Sequence, residues 1–212
     1  MVFPGLDVFA LEMPGRGRRF TDELLGSVPF LVDDAFEDII PLIEKGRFMF
    51  FGHSLGGIVA FELARRLRKE GLQCPSHMFI SGVRAPQVPC REEQVYGLPE
   101  DRFIAKLKEF GGTPEEILAY PEMLELMLPI LRKDFQAYET YEYHSEPPLR
   151  SPITVFGGRL DRYVVAEDLK AWSEHTDAGF ASHFIDGNHF FIHSHLSEVA
   201  GIVLDTIRLQ RA

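Results

Sequence analysis

The sequence predicts an α/β fold built on a mostly parallel sheet, and three observations lead to it. Short runs rich in β-branched and aromatic residues alternate with stretches of helical periodicity. Several of those runs are apolar throughout, as expected of strands buried on both faces. A glycine-flanked turn also joins one run directly to a helix. The candidate strands are residues 6–13 (LDVFALEM), 47–51 (RFMFF), 78–81 (MFIS), 153–156 (ITVF) and 182–185 (SHFI).

The helices follow from spacing. Val32, Phe36, Ile39, Ile40 and Ile43 share one face, with Pro41 expected to kink or split that helix. Residues 55–70 form a second helix, with Val59, Leu63 and Leu67 on one stripe. Arg65, Arg66, Arg68 and Lys69 lie in its last turns and Gly71 is placed to cap it. Two more are expected at 165–172 and 196–209, the latter with Leu196, Val199, Ala200, Val203 and Ile207 in register. Between Pro89 and Arg150 no convincing strand appears. Phe103, Ile104, Leu107 and Phe110 are followed by Gly111-Gly112, and then by residues 123–143, which are apolar on more than one face and contain Pro129, expected to bend or end a helix. This stretch reads either as a helical insertion between two strands or as further core helix, and periodicity leaves both open.

Composition bounds the answer. With 212 residues, 45% of them hydrophobic, the chain can fill one core, so a single domain over 1–212 with an insertion is expected. A formal net charge of -10 argues against nucleic acid as a partner. No apolar run approaches the ~20 residues of a membrane span, and residues 1–14 lack the basic start and cleavage site of a signal peptide. Cys74 and Cys90 form no CxxC pair, which fits a reducing cytoplasm and small apolar roles for both.

The strongest chemical signal is Gly52-His53-Ser54-Leu55-Gly56, between the RFMFF run and the helix that follows. A strand-to-helix elbow of this kind crowds the chain and favours glycines on either side. It would stand Ser54 at the sheet's carboxyl edge and leave the Leu55 N–H free to meet an oxyanion. The plainer alternative is a serine N-cap after a glycine-rich turn. His53 reads as structural, pointing away from the elbow.

A serine needs a base, and the base a third group to orient it. In such a sheet the chain order is serine, acid, histidine. Asp161 follows the ITVF strand and His189 follows the last strand, so both project to the edge that carries Ser54. Asp168, the rival acid, reads as part of the next helix, and Asp186 lies too near His189. His183 and His195 read as structural. His189 and His193 have no carboxylate or cysteine partner at ligand spacing, so no metal and no cofactor are expected. Arg16, Arg18 and Arg19 could grip a phosphate or an acidic partner, but lack the Lys-Ser/Thr ending of a nucleotide loop.

MPGRGRR, GHSLGG, FISGVRAP, LRKDFQAYETYEY, ITVFGGRLD and GNHFFI, in this order, resemble the type II thioesterases, stand-alone α/β-hydrolases that accompany nonribosomal peptide and polyketide synthases. The related medium-chain acyl thioesterase of animal fatty acid synthesis is similar. The resemblance runs from about Leu6 to the C-terminus. It implies Ser54 as nucleophile, Asp161 as acid and His189 as base, and a lid at about 99–143 over an acyl channel. Leu124, Met127, Leu128 and Leu131 then become candidate substrate-facing residues, with ordinary packing as their alternative.

The implied reaction is hydrolysis of acyl or aminoacyl thioesters from the phosphopantetheine arm of an acyl or peptidyl carrier protein, clearing mis-primed synthases, with no membrane partner. The chain departs from the family in one respect. Members begin earlier, with a strand and a glycine-rich turn that supplies the second oxyanion N–H, and no candidate for that segment is present. We therefore expect the natural protein to be longer than this chain. The alternatives are a general esterase of small esters and a catalytically impaired carrier-binding protein. Carrier proteins are usually acidic, as this chain is, so docking would need a local basic patch: Arg16, Arg18 and Arg19, or Arg102, Lys106 and Lys108.

Overall fold

The computed structural model describes residues 5–112 and 120–210. Its sheet has four parallel strands in the order β1-β2-β3-β4: β1 Phe50–His53, β2 Met78–Ser81, β3 Ile153–Gly158 and β4 Phe180–Ile185. The helices are α1 Val28–Ile43, α2 Leu55–Lys69, α3 Glu100–Phe110, α4 Pro121–Glu139, α5 Ala166–Lys170, α6 Phe191–Ser194 and α7 Leu196–Leu209. Register pairs His53 with Ser81, Ser81 with Phe156, and Gly158 with Ile185, so the carboxyl ends of all four strands share one rim.

The central strands are apolar throughout because both faces are covered. Met78, Ile80, Ile153 and Val155 point into a core shared with α1, α2 and Trp172. Phe79, Phe156 and Ile185 point the other way, onto Phe191 and onto Val199 and Ile207 of α7.

The 6–13 run forms no strand. Val8 and Phe9 are 70% and 57% exposed, and β1 pairs only with β2 among the described residues. A strand exists only where a neighbour takes up its backbone groups, and apolar composition supplies none. Pro41 does not split α1, because it falls two residues before the helix ends, where few bonds remain to lose. Pro129 leaves α4 continuous over 19 residues. Pro129 and Glu125 are both exposed, the side on which a freed carbonyl finds water.

Between β2 and β3 no strand forms among the described residues; the helices there are α3 and α4, joined to the sheet by the irregular segments 82–99 and 140–152, and residues 113–119 of the expected insertion lie outside the described residues. Helices α3 and α4 have an apolar cluster of their own, in which Val95, Phe103, Leu107 and Leu128 are buried. No helix among the described residues is long and apolar enough to cross a membrane.

Candidate active site

Ser54 follows β1 directly and sits at φ 52, ψ -124, the only non-glycine residue with positive φ among those described. A left-handed serine between strand and helix is strained, and it persists because its surroundings fix it. The Ser54 N–H donates to the Ser81 carbonyl at 2.8 Å and the Gly57 N–H to the Ser54 carbonyl at 2.9 Å. A Cβ on Gly52 would lie 2.2 Å from the Gly56 carbonyl oxygen, and one on Gly57 would lie 2.9 Å from Val83. The crowding expected at Gly56 belongs instead to Gly57, since a Cβ on Gly56 meets nothing within 4 Å. The Ser54 side chain caps no helix N–H, which removes the N-cap alternative. Leu55 is the first residue of α2, so its N–H has no intrahelical acceptor.

The loops after β3 and β4 are joined backbone to backbone. The Arg159 N–H donates to the Ile185 carbonyl at 2.8 Å and the Leu160 N–H to the Gly187 carbonyl at 2.9 Å. Gly158 allows this, because a Cβ there would stand 2.5 Å from the carbonyl oxygens of both Gly187 and Asn188. Asp161 Oδ1 accepts from the N–H groups of Tyr163 and Val164 at 2.9 and 3.3 Å, and Oδ2 lies 2.8 Å from His189 Nδ1. The Asp161 side chain is fully buried and that of His189 is 17% exposed, so one end of the pair is locked and the other faces outward.

Ser54 and His189 belong to the same rim without being bonded. The ring of His53, the residue before Ser54, lies 5.1 Å from the His189 ring, while Ser54 Oγ and His189 form no hydrogen bond here. Such bonds are often long in a free enzyme and tighten around substrate. The rival acid is committed elsewhere. Asp168 is 1% exposed and bidentate with Arg91 at 2.7 and 2.8 Å, and although burial opposes it, Arg91 keeps its carboxyl below the usual range.

Of the residues expected at the substrate, Leu128 is buried inside the α3–α4 cluster and Leu124 and Leu131 pack against it. Their surroundings are those of the packing alternative. Met127 is half-buried and belongs to no core cluster. The loop arginines are mostly spent within the chain: Arg16 on Asp134, Arg18 on Glu12 at 3.2 Å, and Arg19 on Asp34 and Asp22 at 2.7 and 2.8 Å. Arg102 and Lys106 meet Glu93 and Glu109 at 3.7 and 2.9 Å. Among the described residues no group of three or more His, Cys, Asp or Glu side chains is placed to hold a metal.

The sequence reading of His53 as structural left out what its ring packs against. Its ring turns toward the His189 side of the rim, with Phe191 and Phe190 at 5.9 and 6.3 Å. Nothing in its local sequence signals this, because its neighbours come from the loop after β4.

A serine elbow after one parallel strand, with a buried carboxylate and an imidazole from the ends of two later strands, defines an α/β-hydrolase. Residues 3–207 match the thioesterase domain family. The gramicidin S biosynthesis protein GrsT of Aneurinibacillus migulanus is 37% identical over 204 residues, 96% of this chain and 79% of that protein. Among solved structures, ClbQ from the colibactin NRPS/PKS pathway superposes with a TM-score of 0.89 at 32% identity, covering 93% of this chain and 84% of that one. YbtT, a type II thioesterase from the yersiniabactin NRPS/PKS pathway, gives a TM-score of 0.82 at 32% identity, covering 91% and 78%. The chain belongs to the thioesterase family and is a hydrolase.

Proposed function

We propose that Ser54, Asp161 and His189 are nucleophile, acid and base of an enzyme that hydrolyses acyl or aminoacyl thioesters from the phosphopantetheine arm of a carrier protein. The observation that carries this reading is the 2.8 Å pair of buried Asp161 and outward-facing His189 on the rim that also holds the strained Ser54 elbow.

Ser54 Oγ attacks the thioester carbonyl while His189 Nε2 takes its proton, and Asp161 holds the Nδ1–H tautomer and stabilises the imidazolium. The Leu55 N–H donates to the oxygen on which charge develops. Collapse breaks the C–S bond, and the proton on His189 passes to the departing thiol. Water then attacks the acyl-serine, giving its proton to His189, which returns it to Ser54 Oγ as the acid leaves. A thiolate leaves readily, so catalysis depends more on stabilising the oxyanion than on assisting departure.

The α3–α4 pair is read as a lid on a single α/β-hydrolase domain, with Met127 the expected substrate-facing residue that remains outside its packing. Relatives from nonribosomal peptide and polyketide pathways support an editing role, clearing mis-primed carriers. The free thiols of Cys74 and Cys90 suit the cytoplasm.

The test is a hydrolysis panel of acyl-pantetheines, carrier-loaded thioesters and p-nitrophenyl esters. Carrier-bound substrates should be preferred, and Ser54→Ala should lose both turnover and labelling by a fluorophosphonate. Substantial turnover by Ser54→Ala refutes the nucleophile, and equal activity on small soluble esters favours a general esterase.

A further inference from the structure

The sequence gives His53 no task beyond linking β1 to the elbow, yet the surrounding chain is shaped around its ring. His53 Nδ1 is 3.0 Å from Ser81 Oγ at the end of β2. The next residue, Gly82, has φ +61, and a Cβ there would stand 2.6 Å from His53 Cε1 and 3.0 Å from Nδ1. The ring therefore occupies space that any residue but glycine would fill. Its Nε2 is buried without a hydrogen-bond partner. An unpartnered buried nitrogen is costly, and its retention calls for a reason.

Its neighbours supply one. The His53 ring lies 5.1 Å from that of His189. We propose that His53 is a positioning residue for the base: anchored on Ser81, its ring is the inner wall that fixes the His189 imidazole beside the Ser54 elbow and keeps water from its inner side. This rests on His189 being the base.

The charge state fits. Burial, with His189 and His193 adding to it and Asp161 opposing, pushes the His53 imidazole down to about 3. These are the titratable groups that face it, from the loop after β4, from α6 and from the loop after β3, while β2 offers only the Ser81 hydroxyl. His189 becomes a cation when it takes the Ser54 proton, and a second cation 5.1 Å away would oppose that step. A neutral ring gives contact without that opposition. Phenylalanine would supply the contact, but only an imidazole can also reach the Ser81 hydroxyl.

The experiment compares His53→Ala and His53→Phe with the natural chain, following acyl-pantetheine hydrolysis from about pH 5 to pH 9. In His53→Ala, kcat should fall about tenfold with KM within about twofold, as expected when a reacting group is loosened rather than removed. The acid limb of kcat/KM should move to higher pH, because water entering the vacated space favours the charged form of the base. His53→Phe should restore the acid limb and part of kcat.

In parallel, ring NMR signals of His53 in the natural chain should stay fixed between about pH 5 and pH 8. Unchanged kcat and acid limb in His53→Ala overturn the proposal. So does an acid limb displaced as far in His53→Phe as in His53→Ala, or a His53 that titrates near neutrality. Should His53→Ala fail to fold, the Phe variant and the NMR titration decide. Activity retained by Ser54→Ala would remove the triad reading, whereas the His53 titration is read without any turnover.

Discussion

The rim proposed as catalytic and the α3–α4 pair proposed as its lid lie side by side but are held by different means. At the rim the ties are backbone to backbone: Ser54 to Ser81, Arg159 to Ile185 and Leu160 to Gly187, all within 2.9 Å. The lid is tied by side chains. The Glu139 carboxylate receives the Val95 and Tyr96 N–H groups, Arg132 reaches the Tyr96 and Leu98 carbonyls, and the Phe110 ring meets those of Phe135 and Tyr163. Backbone ties fix positions whatever side chains surround them, whereas side-chain ties change with one substitution. Under the proposed function, the chemistry is thereby built into the fold, and the lid can be altered without disturbing it.

The largest effect should come from the rim's one essential side-chain tie. Asp161→Asn keeps the shape and the N–H groups of Tyr163 and Val164, but presents His189 Nδ1 with an amide and favours the wrong tautomer. A loss on the order of 10³–10⁴ in kcat is expected, with the thermal midpoint nearly unchanged. An equal collapse of stability would show Asp161 to be mainly structural.

A paired substitution tests the backbone claim. Gly52→Ala drives a Cβ to 2.2 Å from the Gly56 carbonyl oxygen, a clash between two backbones that no rotamer relieves. A cost of about 3–5 kcal/mol is expected. Gly56→Ala meets nothing within 4 Å and sits in the first turn of α2, so it should be neutral or stabilise by about 0.5–1 kcal/mol. Urea melts of the two variants separate these outcomes. Similar midpoints would contradict the account of the elbow.

These positions also mark how far the sequence could be read. The placing of Ser54, Asp161 and His189 on one rim was legible because each lies just past an apolar run, and parallel strands bring such points together. α7 matched its expected bounds because its stripe is uninterrupted. The 6–13 run misled because apolar composition does not reveal whether a neighbouring strand exists. Gly56 was credited with crowding that falls on Gly57, since a motif names positions and not their contacts. The apolar residues of α4 could not be divided between packing and substrate, because the cluster with Phe103 and Leu107 joins residues distant in sequence. The same holds for His53.

Acid should weaken the two regions differently. Burial pushes His77 and His175 of the sheet-bearing body each down to about 4, and both rings are 5% exposed. The folded state therefore binds its proton less readily than the unfolded chain. Stability is complete above the unfolded value near 6.5 and declines as pH falls from there toward about 4. At pH 5 each should cost about 2 kcal/mol. The lid helices α3 and α4 contain no histidine, and burial raises the carboxyls of Asp134 and Glu139, so protonation there favours the folded state. Chemical melts at pH 7 and pH 5 should show a fall that His77→Gln reduces. A fall of equal size in that variant would place the acid response elsewhere.

The smallest effect should appear where lid and rim touch. A Cβ on Gly112, just past α3, would stand 2.0 Å from Cζ of Phe190, the residue after His189. Unlike the Gly52 clash, this one meets the far end of a side chain, and the ring can swing aside. Gly112→Ala should therefore cost less than about 1 kcal/mol in stability. Its kinetic effect should fall on substrate entry, raising KM a few-fold with kcat nearly constant, the pattern of binding lost equally from ground and transition states. If kcat falls instead and KM stays put, displacement of Phe190 has reached the neighbouring imidazole, and the lid is coupled to the rim rather than separable from it.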